Sequence, residues 1–256
     1  MPKYKLYTQG RKVSWRAING KTLDSGGKLY KKYKNLTRGI AEYTAIIDSP
    51  PQWHVTLIIP DGGQNLEGDI KAAKLLLKAF GKKFAKKFPD GWFLHKLEFA
   101  SPTPGMHLHI LAQLEKKMSL ETVSRGFAGW WLKITGSDQS ELCHVEPFSP
   151  NHYGYLTATK KRSDTMFLLS LMNGQHIWGV ANKKAVNIAA PQEYEVTREE
   201  FDAFRDNLAA LLDAATTTES HRVYLDNDNG SLYYVEPTVQ KHALKSIGKG
   251  KGKNSK

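Results

Sequence analysis

His107 and His109 stand one residue apart in Gly105-Met106-His107-Leu108-His109-Ile110-Leu111, a stretch whose apolar remainder suits a buried strand. Side chains alternate across a strand, so both imidazoles point to one face. Upstream, Trp92 to Ala100 reads as a second strand, and Ser101-Pro102-Thr103-Pro104-Gly105 between them is dense in turn formers. Closed as a hairpin, the pair brings Glu98 beside His107 and His109. His95 alternates onto the opposite face from Glu98 and is set aside as a ligand. Two imidazoles and a carboxylate on one sheet face make an open site for a divalent cation. Farther along, Tyr153 and Tyr155 precede the basic cluster Lys160-Lys161-Arg162. A cation that draws charge from a phosphodiester, with a phenol nearby to attack it, is the chemistry this set suggests.

The elements that must position these residues can be followed along the chain. Residues 52–60 read as a strand, stopped by Pro60-Asp61-Gly62-Gly63. From about 67 to 88, Ile70, Ala73, Leu77, Phe80, Phe84 and Phe88 recur at helical steps and form one apolar stripe, with lysines on the other faces. A helix over 119–134 starts at Ser119 as N-cap, with Trp130 and Trp131 as packing residues, and Leu142 to Glu146 reads as another strand. The tyrosines open a helix after Ser149-Pro150, and Ile177 to Val180 suggests a strand. Thr197 and Glu200 form a capping box for a helix reaching Asp213, and a hairpin follows around residues 226–230. This interleaving predicts an α+β protein with an antiparallel sheet carrying helices.

Composition narrows the partners. A formal net charge of +12 in 256 residues attracts phosphate backbones, and eleven tyrosines, ten phenylalanines and six tryptophans supply surfaces on which unpaired bases can stack. The single cysteine, Cys143, excludes an intramolecular disulfide and fits a reducing compartment. The start of the chain lacks a secretory pattern, and no run is apolar enough to span a bilayer, so the expected location is the cytoplasm. Three segments are expected: a basic N-terminal extension over 1–48, a domain over 49–240, and a disordered basic tail over 241–256.

The combination resembles the HUH endonucleases, the rolling-circle replication initiators of filamentous phages, plasmids and small single-stranded DNA viruses. Their histidine-hydrophobic-histidine strand is matched by His107-Leu108-His109, their acidic ligand on the preceding strand by Glu98, and an earlier strand by Trp53 to Pro60. Tyr155-Leu156-Thr157-Ala158 partly meets their tyrosine motif, and Gly174-Gln175-His176-Ile177-Trp178-Gly179 is similar to a segment of filamentous-phage initiators. The resemblance runs from about residue 50 to 210. It implies a central five-stranded sheet with the histidine strand in its middle and the tyrosine helix close by. It also implies Mg2+ or Mn2+ held by Glu98, His107 and His109, a tyrosine nucleophile, and a 5′-phosphotyrosyl intermediate on single-stranded or supercoiled origin DNA.

Tyr155 fits the motif better than Tyr153, although Tyr153 and Lys160, seven apart, share a helix face. The family places lysine three residues after the nucleophile, where this chain has Ala158; Lys160 or Lys161 would stand in as the cation that stabilises the transition state. His144 and His152 are candidates for contacts behind the ligands. No phosphate-binding P-loop occurs, so a host helicase and DNA polymerase are implied partners. The neighbouring readings are a transposase or relaxase with the same chemistry, a non-catalytic DNA- or RNA-binding protein, and an unrelated metal hydrolase.

Overall fold

The computed structural model describes residues 3–18, 28–60, 66–100, 105–157, 168–172, 176–214, 222–224 and 229–247. The architecture is α+β, with two antiparallel five-stranded sheets. The chain divides into two compact units, one of Gly26–Ile40 and Ser49–Val186, the other of Met1–Ser25, Ala41–Asp48 and Asn187–Lys256.

The first of these holds the candidate chemistry. Its strands are β3 (Trp53–Ile58), β4 (Trp92–Ala100), β5 (Gly105–Gln113), β6 (Cys143–Pro147) and β7 (Trp178–Ala181), in spatial order β6-β3-β5-β4-β7. The histidine strand β5 is therefore central, paired along both edges, as expected from the resemblance. Helices α2 (Leu66–Lys87) and α3 (Leu120–Thr135) cover one face. The stripe on α2 does the packing: Phe80 and Phe84 sit edge-on to Phe93 of β4 at 5.8 and 5.0 Å, and Phe80 meets Phe127 of α3 at 5.5 Å. Each fully buried phenylalanine contributes roughly 1.5–3 kcal/mol. Ser119 caps α3 through its hydroxyl, and Gly136 ends it at φ 72° in the left-handed region. Trp131 is fully buried and donates its indole N–H to the Ile58 carbonyl at 2.9 Å. The other sheet face carries the polar residues, and the short α4 (His152–Thr157) lies over it.

The second unit is a sheet of β1 (Lys3–Gln9), β2 (Lys12–Ala17), β8 (Gln192–Thr197), β9 (Arg222–Tyr224) and β10 (Asn229–Leu232), ordered β8-β1-β2-β10-β9. With it go α5 (Arg198–Ala214) and α6 (Pro237–Ala243). Tyr4 stacks on Phe201 at 4.3 Å, in a core shared with Leu6, Val13, Trp15 and Phe204. The capping box forms as expected: the Thr197 amide donates to Glu200, and the Glu200 amide to the Thr197 hydroxyl.

Within the span expected as a basic extension, 1–48, the described residues form two strands and a helix. Tyr4, Leu6 and Thr8 alternate with Lys3, Lys5 and Tyr7, so the lysines face outward while their neighbours enter a core. Helix α1 (Lys28–Ile46) follows, its residues up to Ile40 grouping with the first unit and those from Ala41 with the second. Of the span expected as a tail, residues 241–247 are described: they lie in α6 and a 3-10 turn at Leu244–Ser246, with Ile247 buried just after it, and Ala243 is buried as well. Residues 248–256 lie outside the described residues.

Candidate metal centre

Register assembles the site. Glu98 of β4 lies opposite His107 of β5, and Lys96 opposite His109. On the other edge of β5, Thr56 faces His109, while β6 places Glu146 opposite His54 and His144 opposite Thr56. Directly paired residues share a face, so all of these project to the side away from α2 and α3. His95 points the other way, against Phe93 and Gly179, in keeping with its exclusion as a ligand.

Glu98, His107 and His109 converge. His109 Nε2 stands 3.1 Å from Glu98 Oε2, His107 Nε2 stands 3.7 Å from the same oxygen, and the two Nε2 atoms are 3.1 Å apart. Donor atoms about 2.1 Å from one ion and separated by 90–110° lie roughly 3.0–3.4 Å from each other. Two of the three separations fall in that range and the third, between His107 and Glu98, is a few tenths of an ångström longer; the groups have the N/N/O chemistry of a divalent-cation site with open positions. Glu98 is mostly enclosed; burial opposes its charge, but the imidazoles of His107 and His109 and the Lys96 cation hold its carboxyl well below the usual range.

Lys96 was not anticipated. It is buried, its Nζ lies 3.6 Å from Glu98 Oε1, and it donates to the Tyr155 carbonyl at 3.2 Å. Burial lowers its pKa, and Glu98 opposes that shift. Its two-residue offset from Glu98 was the available signal, since the pleat puts both on one face.

The two tyrosines separate clearly. Tyr155 is 47% exposed and its ring stacks beside His54 at 5.4 Å and His109 at 5.5 Å. Tyr153 is 3% exposed, packs edge-on to Phe148 at 5.0 Å, and its carbonyl accepts from the Thr157 hydroxyl. Lys160 and its neighbours Lys161 and Arg162 lie outside the described residues.

A second convergence, of His54, Glu146 and His152, flanks the first. Here His152 Nδ1 accepts the Ser149 amide proton at 2.8 Å, so a neutral His152 carries its proton on Nε2, 3.2 Å from Glu146 Oε1. That nitrogen donates and has no lone pair for a metal. The group is a hydrogen-bonded cluster, with His54 Nδ1 only 2.7 Å from the same carboxylate oxygen. Burial pushes the His54 pKa down to about 4, against the pull of Glu146, whose own pKa is lowered chiefly by the hydrogen bond with His54. His152 thus reaches Glu146 and stacks on His54 at 4.4 Å, whereas His144 is exposed and 3.9 Å from Glu146. Cys143 has its thiol pKa pushed up to about 12 by burial, which leaves it unreactive.

Comparison with known proteins adds little constraint. No family model matches the chain, and no curated protein matches it. Among solved structures, it is similar to the N-terminal nuclease domain of the minute virus of mice non-structural protein 1, described as having a Zn2+ coordination in its active-site pocket and recognising DNA at the replication origin. That likeness is loose: 16% identity, a TM-score of 0.24, and coverage of 64% of this chain and 64% of that domain.

Proposed function

We propose that the protein is a metal-dependent DNA-nicking and joining enzyme of the HUH type that initiates rolling-circle replication. One observation carries the reading: an exposed phenol, Tyr155, stacks on one member of a Glu98-His107-His109 cluster whose donor atoms have the chemistry of a divalent-cation site. A Mg2+ or Mn2+ ion bound there would supply Lewis acidity to a phosphodiester oxygen. Glu98, His107 and His109 would hold it. Tyr155 Oη attacks the phosphorus and loses its proton to solvent, against which the ring is half exposed. The P–O3′ bond breaks, the departing 3′ oxygen takes up a proton, and the 5′ phosphate stays on the tyrosine. Bond energy is thereby kept for rejoining. Lys96, which reaches the Tyr155 carbonyl, anchors the helix that presents the phenol. Lys160 stands in the proposal as a transition-state cation, and origin DNA, a host helicase and a polymerase as partners.

The test uses the full chain with supercoiled origin-bearing DNA and Mn2+ or Mg2+, followed by denaturation and a search for DNA linked to protein. The expected result is nicking with an adduct that Tyr155→Phe abolishes, Tyr153→Phe leaves in place, and chelation of the metal prevents. Cleavage without an adduct would instead mean a hydrolase. Salt-sensitive binding without cleavage would mean a binding protein.

A further inference from the structure

His109 presents two nitrogens to two competing acceptors. Its Nε2 faces Glu98 and His107, while its Nδ1 lies 3.2 Å from His54 Nε2 and 3.5 Å from the Thr56 hydroxyl. A neutral imidazole has one proton to place. On Nε2 it would satisfy Glu98; on Nδ1 it would satisfy His54. We infer that Glu146 and His54 form a relay that decides this choice, holding the His109 proton on Nδ1 and leaving Nε2 bare as a metal ligand. This rests on the metal reading above.

Glu146 is fixed from one side by His152, whose own orientation is set by the Ser149 amide. The carboxylate accepts the proton of His54 Nδ1 across 2.7 Å. His54 Nε2 is then an acceptor, and it is buried against His109. With His109 Nδ1 also bare, two lone pairs would face each other 3.2 Å apart in a water-poor interior, with the cost of leaving a buried polar group unmet. With the proton on Nδ1, that contact becomes a hydrogen bond. Glu98 does not depend on His109 for a donor, because Lys96 and His107 also approach it. The consequence appears at the front of the ring, where His109 Nε2 and Glu98 Oε2, 3.1 Å apart, become two acceptors. A cation between them removes their repulsion, so the relay both orients the ligand and favours occupancy. Partners of this kind behind a ligating histidine typically change metal affinity by about 10–100-fold when removed.

Glu146 is a positioning residue, and its test separates polarity from packing. Glu146→Gln keeps the shape but can turn its NH2 toward His54, forcing the relay to run backwards; Glu146→Asp keeps the carboxylate. Long-range 1H–15N spectra of the metal-free full chain near neutral pH read which nitrogen of His109 bears the proton, and titration with Mn2+ alone reads affinity. The expected result is Nδ1–H in the parent chain, a shift toward Nε2–H in Glu146→Gln with Mn2+ binding weakened about 10–100-fold, and both properties largely kept in Glu146→Asp. Nε2–H on His109 in the parent chain overturns the inference, as does Mn2+ affinity that Glu146→Gln leaves unaltered. Nδ1–H in a parent chain that binds no Mn2+ would overturn the metal reading itself, leaving only a structural hydrogen bond.

Discussion

Single side chains in this protein are tuned by burial as much as by partners. His95 is the simplest case: enclosure behind β4 lowers its pKa from 6.5 to about 4, and among the described residues its Nδ1 meets no hydrogen-bond partner. Above pH 6.5 the ring is neutral whether folded or not. Between 6.5 and 4 the unfolded chain takes a proton that the folded chain refuses. Stability should therefore fall with acidification across that window by about 1.4 kcal/mol per pH unit for this ring. His95→Leu should remove that part of the acid loss while changing stability little at pH 8, which denaturant titrations at several pH values will show. At the same scale, sequence pattern located Glu98, His107 and His109 because their spacing along two strands is local. Lys96, His54 and Glu146 were harder to find. Lys96 looks like an ordinary outward lysine until its partners are known, and His54 joins Glu146 only through pairing of strands some ninety residues apart, which no local period announces.

Elements with strong periodicity were legible, and those whose apolar residues are diluted by charge were not. The stripe on α2, the Ser119 cap of α3 and the box at Thr197 each carry a local physical signal, and each forms. In β1, alternation of Tyr4, Leu6 and Thr8 was present but lay inside a run of lysines. Its partners β2 and β8 lie on either side of it, β8 being far away in sequence. The tight β1–β2 connection offers a sharp test of that unit. Gly10 has φ +55°, and a Cβ there would come within 2.7 Å of the Ala45 carbonyl oxygen, which already accepts the Arg11 amide. Gly10→Ala should cost roughly 1–3 kcal/mol, measurable as a lowered denaturation midpoint with the slope unchanged.

For the molecule as a whole, charge is the dominant fact. A net +12 implies that affinity for DNA will fall steeply and linearly on a plot of log K against log salt. The slope, measured by anisotropy with single-stranded and duplex DNA, should be the same for Glu98→Gln as for the parent chain at a given DNA, because that residue holds the ion and contacts no backbone phosphate in the proposal. A slope near zero would show that the basic surface does not serve nucleic acid. Among the described residues no helix is long and apolar enough to cross a membrane.

The pleat has an arithmetic that bears on how such a domain can change. Glu98 and Lys96 reach His107 and His109 because both strands keep the same parity. Losing one residue between Trp92 and Lys96 would turn that side of the strand over relative to Glu98, and losing Leu97 would put the carboxylate and the ammonium on opposite faces, so either breaks up the centre in a single step. Losing two would preserve the facing side and merely exchange neighbours. Variation in length is thus tolerated between these strands and penalised within them, and lineages descended from this chain should differ in their turns long before they differ in the spacing that joins lysine to glutamate.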